Sequence, residues 1–278
     1  MSPVCVVTDS TCDLPARVVD DLAISVVPLN VHFGTDTYRD HVDLTPRDFY
    51  RRLVSFDGLP TTSQPPVGVF QGVYRQLGEA GNDIISIHLS SKLSGTYASA
   101  LAAAQSLPEL RINVVDSQSV SIGIAWPVMT AAEAALRGEG LDAVARRVCD
   151  VIPRVRLFAV LDTLEHLRRG GRIGKTSAFI GALLHVKPLI QVKEGEVTPV
   201  EKVRTKRQAL RRLVEITLQH GSLERLGVAH GMAQEEAEFV VEQLSAQYPR
   251  DGLLLSEIGP VIGTHAGPRV LGASFVVK

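Results

Sequence analysis

The chain has 278 residues, of which 45% are hydrophobic and 21% are charged, as is usual for a globular protein with a substantial core. At about 150 residues per domain this length suggests two domains, although one large domain is also compatible with it. The 29 basic and 30 acidic residues leave a net charge of -1, which argues against general affinity for nucleic acid or anionic membrane surfaces.

The cysteines and the N-terminus bear on the cellular compartment. Cys5, Cys12 and Cys149 are too few and too scattered for a disulfide framework or a zinc site. The first residues lack the basic flank and apolar run of a signal peptide. The most apolar stretch, 122–136, is interrupted by a proline and a glutamate and is too short to span a bilayer. We therefore expect a reduced, soluble, cytoplasmic protein with no integral membrane association.

Short β-branched runs alternate with longer stretches of helical period along the chain. This alternation is typical of βαβ units, in which helices cover a mostly parallel sheet. The strands predicted most clearly are, in chain order, Val4–Thr8, Ile84–Leu89, Ile112–Val115, Val155–Leu161, Leu226–Ala229, Leu253–Glu257 and Ala273–Val277.

Three helices carry clear signals in the sequence. Thr45, followed by Pro46 and an acidic residue at position 48, is typical of a capped helix start. Thr205–Gln219 and Gln234–Gln247 have helical spacing with polar faces and end near a glycine or a proline.

Two segments favour antiparallel hairpins. His185–Val192 and Val197–Val203 flank a Lys-Glu-Gly-Glu turn, and Ile24–Phe33 followed by Thr37–Arg39 suggests a smaller hairpin. We place a domain boundary at Ile152-Pro153, because no repeat or long linker marks another. The predicted fold class is therefore α/β with two domains: residues 1–152 as a parallel α/β sandwich, and residues 153–278 as a mixed α/β unit that carries the longer hairpin.

The loops that follow the predicted strands are rich in hydroxyl groups. Four such loops near one sheet edge could offer hydroxyls and free backbone N–H groups to one small anion, although helix capping without any ligand explains the same residues. Only Lys92 adds positive charge, which suits a carboxylate better than a polyphosphate. The loops are Asp9–Asp13, Thr61–Pro66, Ser90–Tyr97 and Asp116–Ser121.

Two helical segments, Ile122–Met129 and Ala178–Leu184, are apolar nearly all round. Burial between domains explains them, and the alternative is that they wall a narrow tunnel for an acyl chain. In a tunnel, about fifteen buried methylenes would contribute some 12 kcal/mol before ordering costs, against about 1.5–3 kcal/mol for one hydrogen bond to a carboxylate.

Several apparent catalytic or metal-binding signals fail on inspection. Gly170–Thr176 resembles a phosphate-binding P-loop, but one residue is missing between its glycines and a charged helical stretch precedes it in place of a strand. Cys12 has no histidine beside it in sequence, and the eight histidines lack metal-ligand spacing. His265 lies in a glycine-dense loop, Ile262–Pro268, which is either a functional loop or a tight turn.

Blocks along nearly the whole chain resemble the DegV family. The resemblance implies a two-domain α/β fold that binds a fatty acid, such as palmitate, between its domains. The blocks are Thr8–Thr11, Thr61–Pro65, Ser90–Tyr97, Val115–Ser117, Leu164–Gly174 and Ile258–Pro268.

The resemblance also implies site residues. Thr62 and Ser94 match the positions that hold the carboxylate, with the backbone N–H of Gly95 and with Ser63 of the same Thr-Ser-Gln motif as further candidates. Members of the FakB type present the acid to a separate fatty acid kinase, and here Arg204 and His265 match the basic positions near the carboxylate or facing that partner.

The leading hypothesis is thus a non-catalytic fatty-acid-binding protein without metal or cofactor, which serves as the lipid-presenting subunit of a fatty acid kinase where such a partner exists. The alternative is an enzyme of the phosphotransferase or hydrolase class that uses Ser94, Cys12 or His265. A lipid-sensing regulator would share the same pocket.

Overall fold

The computed structural model describes residues 2–176 and 186–278. Its strands are β1 (Val4–Asp9), β2 (Ile24–Val27), β3 (Asn30–Phe33), β4 (Asp36–Arg39), β5 (Thr61–Ser63), β6 (Asp83–His88), β7 (Ile112–Asp116), β8 (Val155–Val160), β9 (Lys187–Lys193), β10 (Glu196–Val203), β11 (Leu223–His230), β12 (Leu253–Glu257) and β13 (Leu271–Val277). Its helices are α1 (Ala16–Asp21), α2 (Pro46–Ser55), α3 (Val67–Glu79), α4 (Thr96–Gln105), α5 (Ile122–Leu136), α6 (Leu141–Val151), α7 (Glu165–Arg169), α8 (Lys206–Gln219), α9 (Gln234–Ser245) and α10 (Pro260–Ala266).

A parallel sheet in the order β2–β1–β6–β7 organises the first part of the chain. Its two central strands are buried on both faces: Val6 and Ile85 pack toward α5 and α6, whereas Val7 and Ile84 pack toward α3 and α4. Parallel strands covered on both faces are rich in apolar residues, and the short apolar runs in β1 and β6 are why both were evident in the sequence.

A six-stranded mixed sheet, in the order β10–β9–β8–β13–β11–β12, organises the second part. Only β11 and β12 pair in parallel within it; the other neighbours are antiparallel. One face packs on α8 and α9 through residues such as Leu213 and Val240, and the other face turns toward α5. The α/β class, with one parallel and one mixed sheet, is therefore confirmed.

Helix α5 lies between the two sheets. It contacts β1 and β6 on one side and β8, β11 and β13 on the other. Trp126 is 2% exposed, and its indole N–H donates to Ser274 Oγ of β13 at 2.9 Å. A helix packed on opposite sides needs no polar stripe, which explains its apolar composition.

The structure corrects one predicted hairpin. Ile24–Phe33 is not one strand: β2 joins the parallel sheet, and only β3 pairs with β4 as an antiparallel hairpin, with β5 on its other edge. Pro28 lies between β2 and β3, and it has no N–H to donate to a neighbouring strand. The carbonyl of Leu29, the next residue, accepts from the N–H of Asp40.

The other predicted elements occur with shifted ends. The longer hairpin is confirmed as β9 and β10, and Thr45 caps α2 by accepting from the N–H of Asp48 at 3.2 Å. The predicted apolar segment Ala178–Leu184 and residue His185 lie outside the described residues. The parallel sheet uses residues within 4–116 and the mixed sheet residues within 155–277, and the boundary at 152/153 between them stays a prediction.

Candidate ligand-binding site

A cavity of about 1000 Å³, counting its open mouth, lies between the loops of the first part and the inner face of the mixed sheet. Most of its lining is apolar, and the apolar residues are Leu29, Leu89, Leu93, Val120, Ile122, Leu157, Ala159, Leu161, Leu167, Ile190, Val192, Val197, Ala229, Ile258, Val261, Ile262, Ala266 and Val270, with Gly272 between them.

The mixed sheet gives the cavity a wall of small residues. Gly272 of β13 lies opposite Ala159 of β8 and Ala229 of β11, so the three form a row across adjacent strands. Ile190 of β9 continues this row at its edge. Small side chains in register leave space above the sheet, and that space is part of the cavity.

Thr62 and His265 meet at a polar end of the cavity. Thr62 Oγ1 and His265 Nε2 are 2.8 Å apart, although the residues are separated by 203 positions in the chain. Thr62 is fixed by pairing of β5 with Val31 of β3, and His265 by the last turn of α10. Both predicted residues line the cavity, and the structure brings them into direct contact.

Ser94 lies at the same end, just before α4. Its Oγ is 2.9 Å from Thr96 Oγ1 and accepts from the N–H of Thr96 at 3.3 Å. Gly95 precedes α4, where backbone N–H groups lack partners within the helix. A Cβ on Gly95 would lie 2.8 Å from the side-chain nitrogen of Gln64, so this loop packs directly against the loop that carries Thr62.

The sequence reasoning did not find Arg172, which lines the same end of the cavity. Its Nε donates to the carbonyl of Leu93 at 3.1 Å, and its Nη1 donates to the carbonyl of Gly170 at 2.7 Å. A Cβ on Gly170 would collide with His265 Nδ1, which places all these groups together. Arg172 belongs to the rejected P-loop-like segment, and that segment does follow helix α7 in place of a strand.

The charge of this polar end comes from Arg172 and not from His265. Burial, followed by the nearby charge of Arg172, lowers the pKa of His265 to about 4. The imidazole is therefore neutral at pH 7, and its contact with Thr62 is a bond between neutral groups. A site with one fixed positive charge and several hydroxyls favours a monoanion over a polyphosphate.

Two further predicted residues are placed differently. Ser63 lines the cavity, but its Oγ is already 3.0 Å from His32 Nε2. Arg204 is exposed between β10 and α8 and does not belong to the cavity lining. Lys92, the only cation expected within the hydroxyl loops, is also exposed and outside the lining.

Cys12 is poorly suited to act as a nucleophile. Its side chain is buried and does not line the cavity. Burial raises the pKa of the Cys12 thiol far above its usual value, because the thiolate would have to form without solvent. The enzyme alternative therefore depends on Ser94 or His265.

A serine–histidine–aspartate chain does occur, but inside the parallel sheet. Ser86 Oγ is 2.7 Å from His88 Nε2, and His88 Nδ1 is 3.0 Å from Asp9 Oδ2. The hydroxyl of Tyr74 donates to Ser86 Oγ at 2.8 Å. Ser86, His88 and Asp9 are 0% exposed, so no substrate can reach them, and the chain serves to satisfy buried polar groups.

A second buried polar cluster joins the two parts of the chain behind the cavity. Asp13 and Asp40 are 2% and 1% exposed, and Ser10 Oγ donates to Asp40 Oδ2 at 2.7 Å. Burial raises the pKa of Asp40 to about 7, although the charge of His41 and the bond from Ser10 oppose this shift. Burial lowers the pKa of His41, but the carboxylates of Asp13 and Asp40 outweigh it, so its net shift is upward.

We expect Asp40 to make folding stability fall as pH rises from about 4 to 7. Below pH 4 the carboxyl is protonated in the folded and the unfolded state. Between pH 4 and 7 it ionises in the unfolded chain but stays protonated in the folded one, so the free energy of unfolding falls. The Asp40→Asn variant cannot ionise at this position. Relative to it, the free energy of unfolding of the wild type should fall by up to about 4 kcal/mol across this range, at about 1.4 kcal/mol per pKa unit. Urea unfolding of both proteins at several pH values measures the difference, and a constant difference would contradict the assignment.

Neither a metal centre nor a membrane span is found in the parts of the chain described. Within residues 2–176 and 186–278, no three His, Cys, Asp or Glu side chains are placed to hold a metal ion. No helix among these residues is both long and apolar enough to cross a bilayer.

A parallel and a mixed sheet with a largely apolar cavity between them are typical of proteins that bind small molecules. Within that class the chain belongs to the DegV family, since the family model described as "Uncharacterised protein, DegV family" matches residues 3–278. The chain is 36% identical to Protein DegV of Bacillus subtilis over 279 aligned residues, covering 99% of each chain.

Two solved structures are closely similar to this fold. A fatty-acid-binding DegV family protein from Thermus thermophilus is 33% identical with a TM-score of 0.92, over 99% of this chain and 100% of that one. A stearic acid-binding protein from Eubacterium ventriosum is 26% identical with a TM-score of 0.91, over 100% of this chain and 99% of that one.

Proposed function

We propose that this chain binds a long-chain fatty acid, such as palmitate, and does not itself transform it. The observation that carries the proposal is the composition of one cavity: Thr62, Ser94, Arg172 and His265 gather at one end, and the rest of the lining is mainly apolar. Similar structures from Thermus thermophilus and Eubacterium ventriosum are described as binding fatty acid and stearic acid, which supports the same ligand class here.

The two parts of the cavity suit the two parts of such a ligand. Burial of an acyl tail contributes about 0.8 kcal/mol per methylene before ordering costs, so the apolar wall supplies most of the affinity. Hydrogen bonds to the carboxylate add about 1.5–3 kcal/mol each and decide which end of the ligand lies at the polar cluster. The tail would occupy a tunnel between the two sheets.

The hydroxyls of Thr62 and Ser94 are the proposed donors to the carboxylate. A neutral His265 that carries its proton on Nε2 donates to Thr62 Oγ1, and this leaves the Thr62 proton free to point at the ligand. The backbone N–H of Gly95 is a further donor at the start of α4. Arg172 balances the ligand charge.

We test this function by identifying the lipid that accompanies the protein. Native mass spectrometry of protein purified from cells, followed by organic extraction, should give a bound fatty acid of about sixteen to eighteen carbons, close to the stearic acid that the similar protein from Eubacterium ventriosum is described as binding. Delipidated protein should rebind added palmitate. Protein that is free of acid as purified and that fails to bind added palmitate would refute the proposal.

The proposal extends to presentation of the carboxylate to a separate fatty acid kinase. Ser94 Oγ is hydrogen-bonded to Thr96, and among the described residues no general base contacts it. This arrangement favours binding of the carboxylate over nucleophilic attack by Ser94. Exposed Arg204 lies outside the cavity, where it can contact a partner. An ATP-dependent partner places this step in the cytoplasm, and the chain itself contributes no cofactor.

A reconstitution separates presentation from catalysis. Loaded with labelled palmitate, the protein should yield acyl phosphate only when a fatty acid kinase catalytic subunit and ATP are both added. In the same mixture the Arg204→Ala variant should still bind palmitate but give less product, because Arg204 is the proposed contact with the kinase. Acyl phosphate or ester hydrolysis from the chain alone, abolished by Ser94→Ala, would favour the enzyme alternative.

A further inference from the structure

Asp13 lies outside the cavity, yet its carboxylate joins two segments that line it. Oδ1 accepts from the backbone N–H of Gly259 at 2.9 Å, and Oδ2 accepts from the hydroxyl of Ser121. The backbone carbonyl of Asp13 accepts from the hydroxyl of Ser256. The Asp13 side chain is 0% exposed and has His41 Nε2 as an ion-pair partner at 3.8 Å. The buried carboxylate therefore contacts Ser121, Gly259 and His41, which lie in three separate parts of the chain.

The first segment begins helix α5. Ser121 has a φ of 53°, in the left-handed region that a residue with a Cβ adopts at a cost. Ser121 lines the cavity, as do its neighbours Val120 and Ile122. The bond to Asp13 holds this strained residue in place.

The second segment is helix α10. Gly259 precedes this helix, which presents Val261, Ile262 and His265 to the cavity. A Cβ on Gly259 would collide with His41 Nε2 and lie 3.1 Å from Asp13 Oδ1, so the close approach requires glycine. At about 1.5 Å per residue, α10 is only about 10 Å long, and a tilt at Gly259 is carried to His265.

We infer that Asp13 is a positioning residue for the carboxylate site. By fixing the start of α10, it sets where His265 meets Thr62, and hydrogen bonds weaken steeply once their geometry is lost. The inference rests on the proposed fatty-acid binding. It differs from a purely structural role because it assigns Asp13 a larger effect on binding of the head group than on binding of the tail.

The test compares two ligands with the same tail. Palmitate and its methyl ester fill the same apolar wall, but only palmitate offers a carboxylate. Asp13→Ala should lower the affinity for palmitate about tenfold and the affinity for methyl palmitate less than about threefold, the tenfold change being the loss of about one hydrogen bond to a charged group. Asp13→Asn, whose amide oxygen still accepts from Gly259, should restore most of the palmitate affinity.

Two further variants separate positioning from general loss of stability. Asp13→Gly deletes the carboxylate at a φ of 49°, where glycine is favoured, and so keeps the fold accessible if Asp13→Ala is too unstable. Leu213→Ala creates a cavity in the core between the mixed sheet and α8, away from the ligand, and should change both affinities equally.

A double-mutant cycle shows whether the effect passes through His265. In a His265→Ala background, Asp13→Gly should no longer change palmitate affinity, because the group that it positions is gone. An Asp13 effect that is equal for both ligands, or that persists without His265, overturns the inference. Failure of the wild type to bind palmitate at all would instead overturn the proposed function.

Discussion

Replacement of both Thr62 and Ser94 by alanine is expected to lower palmitate affinity about 100-fold while binding of methyl palmitate changes little. Each hydroxyl is a proposed donor to the carboxylate, and one hydrogen bond to a charged group contributes about 1.5–3 kcal/mol. Two additive losses amount to about 3–6 kcal/mol, and the lower end of that range is close to the 2.8 kcal/mol or so that corresponds to 100-fold. Isothermal titration with both ligands measures the two changes.

Matched controls lie in the same two loops. Thr61→Ala and Ser91→Ala remove exposed hydroxyls from the same two loops without touching the cavity lining. The double control variant should keep wild-type affinity for both ligands. If the Thr62 and Ser94 double variant also keeps its preference for palmitate over the ester, the carboxylate lies elsewhere in the cavity.

The polar end of the cavity shows which parts of the site a sequence can predict. The residues alone predicted only hydroxyl-rich loops, and the resemblance to the DegV family singled out Thr62 and Ser94 within two contiguous motifs. Arg172 could not be placed in this way: its anchor, Leu93, is 79 positions away, and only packing of the two parts of the chain brings them together. The sequence therefore indicated Lys92 as the local cation, whereas the structure brings Arg172 into the lining.

The fold could be predicted from the sequence where burial selects recognisable runs of apolar residues. Strands β1 and β6 are covered on both faces and carry short apolar runs, which the sequence shows, although they also bury polar residues such as Ser86. Helix α5 could not be assigned to core or tunnel wall, because both environments select apolar side chains on every face. The structure shows α5 as a core helix of which Ile122 alone lines the cavity. Likewise, the role of Asp13 depends on Gly259, which is 246 positions away.

Replacement of Ala229 by leucine is expected to shorten the fatty acid that the protein prefers. Ala229 is 1% exposed and belongs to the row of small residues with Gly272 and Ala159 on the cavity wall. A leucine adds three carbons that displace about three methylenes of a long tail, at about 0.8 kcal/mol each. Palmitate affinity should fall roughly 50-fold. A twelve-carbon acid should bind nearly as before, as measured by competition across a series of acids.

The neighbouring residue on the same strand provides the control. Val228 faces the opposite side of the mixed sheet, in the core formed with α8 and α9, because successive side chains of a strand alternate. Val228→Leu should cost stability by overpacking that core but leave chain-length preference unchanged. Ala229→Leu should have the reverse profile, because the added carbons enter open space. If Ala229→Leu instead lowers the midpoint of thermal unfolding as much as Val228→Leu does, or weakens acids of every length equally, the tail does not run along this row.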